Sequence, residues 1–428
     1  MRRHKRAVLC AMRSLRTVAV LILAICILQV AGGLLGVWLP LAMADDGLSK
    51  VYVGAVAATY SAGFMGGAAL SGALLRRIGH IRVFSAAAGV CCAMTLFLFW
   101  ADGVIAWALL RMPQGACIAI LFATSESWMN TVLGKDERGS VLGVYFLATK
   151  VALAGGPFLG AAAAMGDPAP LMVAAACFAL CLVPICWTAQ TQPQPPQAAP
   201  MAIGSLFQTA PAAVIAAFLA GMSNNAVLGL APLYARDRGE VEQAPLFLAC
   251  AWAGSLATQW VAGWASDKID RRLVIAALNA LGAAGALAIF LLPPQAGFHW
   301  AMLGIAVWGA GSLSYYGIAV AHMADRTSTA NMAHAVAGLL FVWAIGSIFG
   351  PLIAGFVADR TEGARGLFGY AAIIGVLVCV SMGLRLRVPG PARAEKGAFA
   401  PQAESSVAAG EALALTGAAK AVKIDQSA

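Results

Sequence analysis

SGALLRRIGHIRVF, residues 71–84, sets Arg76, Arg77, His80 and Arg82 in a short break between two long apolar runs. A second stretch, AGWASDKIDRRLVI (262–275), repeats the outline but carries acids among its cations. Gly72 falls on Gly263, Arg76 on Asp267 and Arg77 on Lys268. The flanking runs are about the 20 residues that a bilayer-spanning helix needs. The two breaks therefore read as turns at one membrane surface, and the chain as a membrane protein with an internal repeat.

Composition agrees with that reading. Of 428 residues 61% are hydrophobic and only 11% charged, with mean hydropathy +0.81. Soluble domains are about a quarter charged. The net charge of +9 is thus no sign of nucleic-acid binding, because cations collect on the cytoplasmic side of membrane proteins. Twelve apolar segments, from 17–43 to 365–386, have the length of helices and not of barrel strands. The first follows MRRHKR, as in a signal peptide, but exceeds the 7–15-residue apolar core of one, so a retained helix is expected. The Pro/Gln-rich stretch 188–206 reads as a cytoplasmic linker between a half at 1–187 and a half at 207–387, and 388–428 as a disordered cytoplasmic tail. The ten cysteines form no Cys-x-x-Cys pair, and neither metal nor cofactor is expected.

Lysine and arginine fix the expected topology. With the N-terminus inside, the opposite loops hold only Lys50, Arg236, Arg238, Arg360 and Arg365, while the inner loops and both ends hold the rest outside the apolar runs. The expectation is a multi-pass protein of the plasma (inner) membrane with both termini cytoplasmic.

Further landmarks extend the repeat: LPLAMADDG (39–47) matches APLYARDRG (231–239), and GGPFLGA (155–161) matches FGPLIAG (349–355). Two six-helix halves of equal orientation are parallel repeats that enclose a site near the bilayer midplane. At this point the chain resembles the major facilitator superfamily, across roughly residues 15–388. The resemblance rests on the 72–82 turn and its copy, on Arg111-Met-Pro-Gln114-Gly115, and on Gly156-Pro157-Phe-Leu-Gly160. Glu126-Ser-Trp-Met-Asn130, Arg138-Gly139 and the lack of an acid at position 76 make it most similar to the YcaD-like group. The implied fold is all-α, with twelve transmembrane helices in two pseudo-symmetric halves.

Candidate residues follow. Arg111 and Lys150 lie within the hydrocarbon depth, where a charge costs at least about 2.5–3.5 kcal/mol and so faces a cavity or a partner. A static ion pair is the competing reading for Arg111. Two cations with no acid at their depth point to an anionic or electron-rich solute. Glu126 is about 22 Å along the helix from Arg111 and cannot neutralise it. The resemblance instead implies a cytoplasmic gate of Gly72, Arg76, Arg77, Gly79, Arg82, Glu126 and Arg138, repeated as Gly263, Asp267, Arg271, Arg272 and Asp325. A proton-carrying role for Glu126 stays open. Helices 1, 4, 7 and 10 are implied to line the cavity, which makes Gln29, Gln114, Asn224, Asn225, Tyr315 and Tyr316 candidate contacts. Gly156-Pro157 and Gly350-Pro351 are expected helix bends.

No Walker A loop is present, and the five histidines are scattered, so neither ATP drive nor a membrane enzyme is expected. The expected function is secondary active transport of a small organic solute by a monomer, with protons as coupling ion, in the direction of uptake or efflux. The competing function is a transporter-like sensor or scaffold without flux.

Overall fold

A computed structural model of the chain describes residues 2–133, 138–160, 167–187, 202–328, 331–361 and 363–387, with side chains from Val18 onward except 130–131 and 138–140. Linker residues 188–201 and the tail 388–428 lie outside the described residues. Among the described residues, twelve helices long and apolar enough to cross a membrane follow one another: α1 (Val18–Asp45), α2 (Lys50–Ile78), α3 (His80–Trp100), α4 (Gly103–Met129), α5 (Val141–Leu159), α6 (Ala169–Cys186), α7 (Pro211–Asp237), α8 (Val241–Lys268), α9 (Arg271–Phe290), α10 (Phe298–Ala324), α11 (Met332–Arg360) and α12 (Gly363–Arg385). The chain is all-α in two six-helix halves. We call the face where α1 begins the inner face and its opposite the outer face.

Within the first half, α2 and α3 pack on α4, and α1 on α5 and α6. In the second half α8 and α9 pack on α10, α7 on α11, and α9 on α12. The halves meet mainly where α2 lies along α11, with smaller contacts of α1 on α7 and α5 on α8. Gly54 lets α2 approach closely: a Cβ there would sit 2.2 Å from the Pro351 carbonyl oxygen. Small residues permit such backbone approach where lipid supplies no hydrophobic drive between helices.

The two quoted turns close by different chemistry. Gly79 adopts φ +81°, which other residues rarely tolerate, and donates its N–H to the Leu75 carbonyl at 3.0 Å. The chain passes from α2 into α3 with no further loop. Its repeat counterpart, Asp270, stays at φ −62° and caps α9 by accepting the Arg272 N–H at 2.9 Å.

Two expected bends behave differently. Beyond Gly155, α5 tightens into a 3-10 turn at Gly156–Leu159 that contains Pro157. At the repeat position α11 runs helical through Gly350 and Pro351. There a Cβ on Gly350 would sit 2.1 Å from the Met222 carbonyl oxygen, so this glycine serves close packing against α7. A break not expected from sequence interrupts α10 between Ser312 and Tyr316.

Candidate functional site between the halves

A chamber of about 270 Å³ lies on the seam, walled by α1, α2, α4 and α5 on one side and α7, α8, α10 and α11 on the other. Lys150 reaches across it from α5. Its ammonium donates to Gln259 Oε1 at 2.9 Å and to Ser255 Oγ at 3.1 Å, both on α8. Ser255 in turn donates to the Leu313 carbonyl at 3.3 Å, at the break in α10. Thr258 donates to the Ala310 carbonyl at 2.8 Å, so the broken turn keeps its acceptors occupied. Gln29 and Asn225 also line the chamber, and Asn225 donates to Ser347 Oγ at 2.5 Å.

A second space of about 180 Å³ shares Gly32, Gly36, Tyr60, Ser61, Asn225 and other residues of the first chamber's wall. It continues towards the outer face, to Arg111 and Gln114 on α4. The Arg111 guanidinium lies 4.1 Å over the Tyr60 ring and donates to Gln114 Oε1. Gln114 donates onward to Thr95 Oγ1 at 2.8 Å, and Thr95 to the Cys91 carbonyl at 2.7 Å. This chain of hydrogen bonds and a cation–π contact holds Arg111 through neutral groups.

Three candidates do not line either space: Asn224, Tyr315 and Tyr316. Successive helical residues point about 100° apart, so when Asn225 faces the chamber Asn224 turns into the packed interior, where it is fully buried. At the break of α10 the chamber is lined by Leu313, Ser314 and Gly317, and Tyr315 is fully buried away from it. Polar contacts were expected from helices 1, 4, 7 and 10, so Gln259 and Ser255 on α8 and Tyr60 on α2 were missed. A signal was present: Trp252, Ser255 and Gln259 fall at i, i+3 and i+7 and share a face of α8.

At the inner face of the second half, Arg271 and Asp325 form a nearly fully buried pair, with Nε–Oδ2 at 2.7 Å and side chains 1% and 2% exposed. Arg271 also meets Asp267 at 3.4 Å and Ser266 Oγ at 2.9 Å. Arg272 pairs with Asp270 at 2.7 Å and donates to the Arg385 carbonyl, tying α9 to α12. Burial alone would raise the Asp270 carboxyl. The hydrogen bonds from the Arg272 side chain and backbone outweigh it and bring its pKa down to about 2.

The first half is built otherwise. Arg76, Arg77 and Arg82 are exposed, while Gly72 is half-buried. The position of Arg271 is taken by His80, which is buried, sits 3.2 Å from Ser127 Oγ and packs edge-on against Trp128. Glu126 is 3% exposed and faces the hydroxyl of Tyr145, a chamber residue. The Arg138 side chain lies outside the described residues.

At the outer face, polar contacts join the halves. Asp45 pairs with Arg236 at 2.9 Å and Lys50 with Asp237 at 3.4 Å. Asp359 accepts the N–H groups of Lys50 at 2.9 Å and Val51 at 3.0 Å, so the end of α11 caps the start of α2. Asp45 and Asp237 occupy matching places in the 39–47 and 231–239 copies. Asp46, beside them, has its pKa raised by burial and by the nearby charges of Asp102 and Asp45.

Two pseudo-symmetric halves around a seam cavity define a membrane transporter, and the sequence comparison gives its family. The Major Facilitator Superfamily model matches residues 21–340 and again 213–425, and the chain belongs to that superfamily. Its members are transporters and not enzymes. The "Uncharacterized MFS-type transporter YcaD" of Escherichia fergusonii is 25% identical over 344 residues, covering 78% of this chain and 87% of that relative. Among solved structures, a bacterial homologue of the human lysosomal transporter Spinster, inward-facing and occupied, has TM-score 0.72 at 15% identity over 89% of this chain and 97% of its own. A D-xylose–proton symporter has TM-score 0.71 at 14% identity over 90% and 99%. At those identities the structures show the fold alone.

Proposed function

We propose that this transporter carries a small organic solute, anionic or electron-rich, across the plasma (inner) membrane by alternating access coupled to protons. The observation that carries the proposal is Lys150 bridging both halves inside the seam chamber while the outer ends are tied together. A charge at that depth is costly unless it serves a cavity or a partner. Rocking the halves apart at the outer ends would expose the same chamber to the other side. Lysines and arginines favour cytoplasmic termini, and the protein acts as a monomer in the bilayer.

In this reading Lys150, Gln29 and Asn225 contact the solute, and Arg111 with Gln114 sits on its outward route. Proton coupling is inferred by likeness to the xylose–proton symporter and from Glu126 behind Tyr145. Glu126 with Arg138 and Arg76 or Arg77 is retained as the inner gate of the first half. Asp267, Arg271, Arg272 and Asp325 form that of the second. Gly156-Pro157-Phe-Leu-Gly160 tips the direction towards efflux.

The test is reconstitution in proteoliposomes, reading proton movement with an internal pH dye as a library of organic acids, neutral solutes and amines is added. Solute-dependent proton movement that Lys150→Ala abolishes supports the proposal. Full residual flux in that variant removes Lys150 from the site. Absence of flux for every solute, with an altered output of a partner protein, favours the sensor reading.

A further inference from the structure

We infer that the solute is an aromatic acid: a small aryl body bearing one carboxylate-type anion. The inference rests on the transport reading above and adds the chemistry of the chamber wall to it. Trp252, Ser255 and Gln259 form one stripe of α8, and Lys150 lies against all three, 5.9 Å from the Trp252 ring and hydrogen-bonded to the two polar residues. Gln259 and Ser255 hold the ammonium without adding charge, and Gln259, which lines the chamber, also carries amide N–H groups that suit a bound oxyanion. A cation and a flat indole face thus stand side by side on one wall.

Further aromatic rings stand among the small and aliphatic residues of the remaining wall. Trp343 presents itself from α11, set edge-on against Phe64 of α2 with centroids 6.2 Å apart, and tilted against Tyr316 at 6.2 Å. Phe122 and Tyr145 close the chamber from α4 and α5. An aryl solute placed edge-on or offset against such rings gains beyond the area it buries. Among the described residues that line the chamber there is no carboxylate and Lys150 is the only charged side chain, so the one formal charge there opposes a cationic amine. The volume of about 270 Å³ lies just below the roughly 300–1,000 Å³ of small-molecule sites. A single-ring solute fits this space better than a large amphiphile. The design matches small-molecule sites in general, where an apolar wall supplies affinity and a few placed polar groups fix orientation.

The experiment measures binding alone, by calorimetry on the full chain in nanodiscs. The probes are 3-phenylpropanoate, its non-aromatic counterpart 3-cyclohexylpropanoate, the neutral 3-phenylpropanamide, and the amine 2-phenylethylamine. The expected order is the aryl acid first, about three- to tenfold tighter than the cyclohexyl acid and about 10- to 100-fold tighter than the amide, with the amine weakest. Lys150→Gln should bring acid and amide to equal affinity. Trp252→Leu should erase the preference for the aryl over the cyclohexyl acid while keeping that for acid over amide. Equal binding of acid and amide by the unaltered chain overturns the inference, as does stronger binding of the amine or no binding by any probe. The probe series on the unaltered chain decides the question even if a variant fails to fold. Binding in the expected order without proton movement in proteoliposomes sinks the transport reading and leaves the assignment of the chamber intact.

Discussion

Replacing Gly54 by alanine tests how the outer face is held shut. The added Cβ would stand 2.2 Å from the Pro351 carbonyl oxygen and 2.9 Å from its carbonyl carbon. Both are backbone atoms of α11 and cannot swing aside. Reaching an ordinary contact of 3.4 Å requires a shift of 1.2 Å (3.4 − 2.2) between helices of opposite halves. Overpacking of this kind costs about 1–3 kcal/mol. The penalty falls on the state with outer ends together and is relieved when they part. At a factor of ten per 1.4 kcal/mol, the balance moves about five- to a hundredfold towards an outward-open state. Spin labels at Trp100 and Leu291, exposed positions near the outer ends of α3 and α9, report the change as a longer distance population in a background without native cysteines. Gly66→Ala on the same helix is the control, since nothing lies within 4 Å of its Cβ. An unchanged distance distribution for Gly54→Ala, or an equal shift for Gly66→Ala, refutes the argument that this contact is a seal.

Four other outcomes are expected. Asp325→Ala leaves the buried Arg271 charge with only the more exposed Asp267 as counter-ion and should cost up to about 3–5 kcal/mol, seen as a loss of thermal stability in detergent. Arg271→Lys should not match the native stability, because an ammonium lacks the two-pronged geometry of a guanidinium; a native melting temperature would contradict it. Asp270→Asn should destabilise by up to about 1 kcal/mol. The folded pKa of Asp270 lies below its ordinary value, so its contribution is fully present above about pH 3.8 and is lost as pH falls towards 2. The difference in melting temperature from the unaltered chain should therefore persist at pH 4, and its disappearance by pH 5 would refute the assignment. Glu126→Gln should raise the accessibility of inner-face cysteine reporters if Glu126 closes the first half's inner gate, and unaltered labelling would end that reading.

Much of the fold was legible because apolar length and loop charge are one-dimensional signals. The twelve segments emerge within a few residues of their helices, and the shifted motifs reveal the halves before any contact is known. Arg111 and Lys150 stood out for the same reason, as charges inside apolar runs. What sequence could not supply is rotation about each helix axis, which neighbouring helices decide. Asn224 and Asn225 looked equivalent, yet packing of α7 turns only one to the chamber. Tyr315 and Tyr316 looked like lining on a regular α10, and the break after Ser312 hands that role to Ser314 and Gly317. Gln259 and Ser255 passed as ordinary polar residues until Lys150 met them from the other half. His80 shows another limit, since its counterpart Arg271 is chemically different and the shared role is visible only in where each side chain ends.

Asp359 gives the outer seam a property that an ordinary ion pair lacks. Its carboxylate accepts the N–H groups of Lys50 and Val51, which open α2 and have no acceptor within their own helix. A helix of one half is therefore terminated by a side chain of the other. Parting the outer ends leaves those amides to water, and the first turn of α2 becomes prone to fray. The conformational cycle is then written into backbone order as well as rigid-body position. Amide hydrogen exchange at Lys50 and Val51 becomes a label-free clock for the opening of the seam.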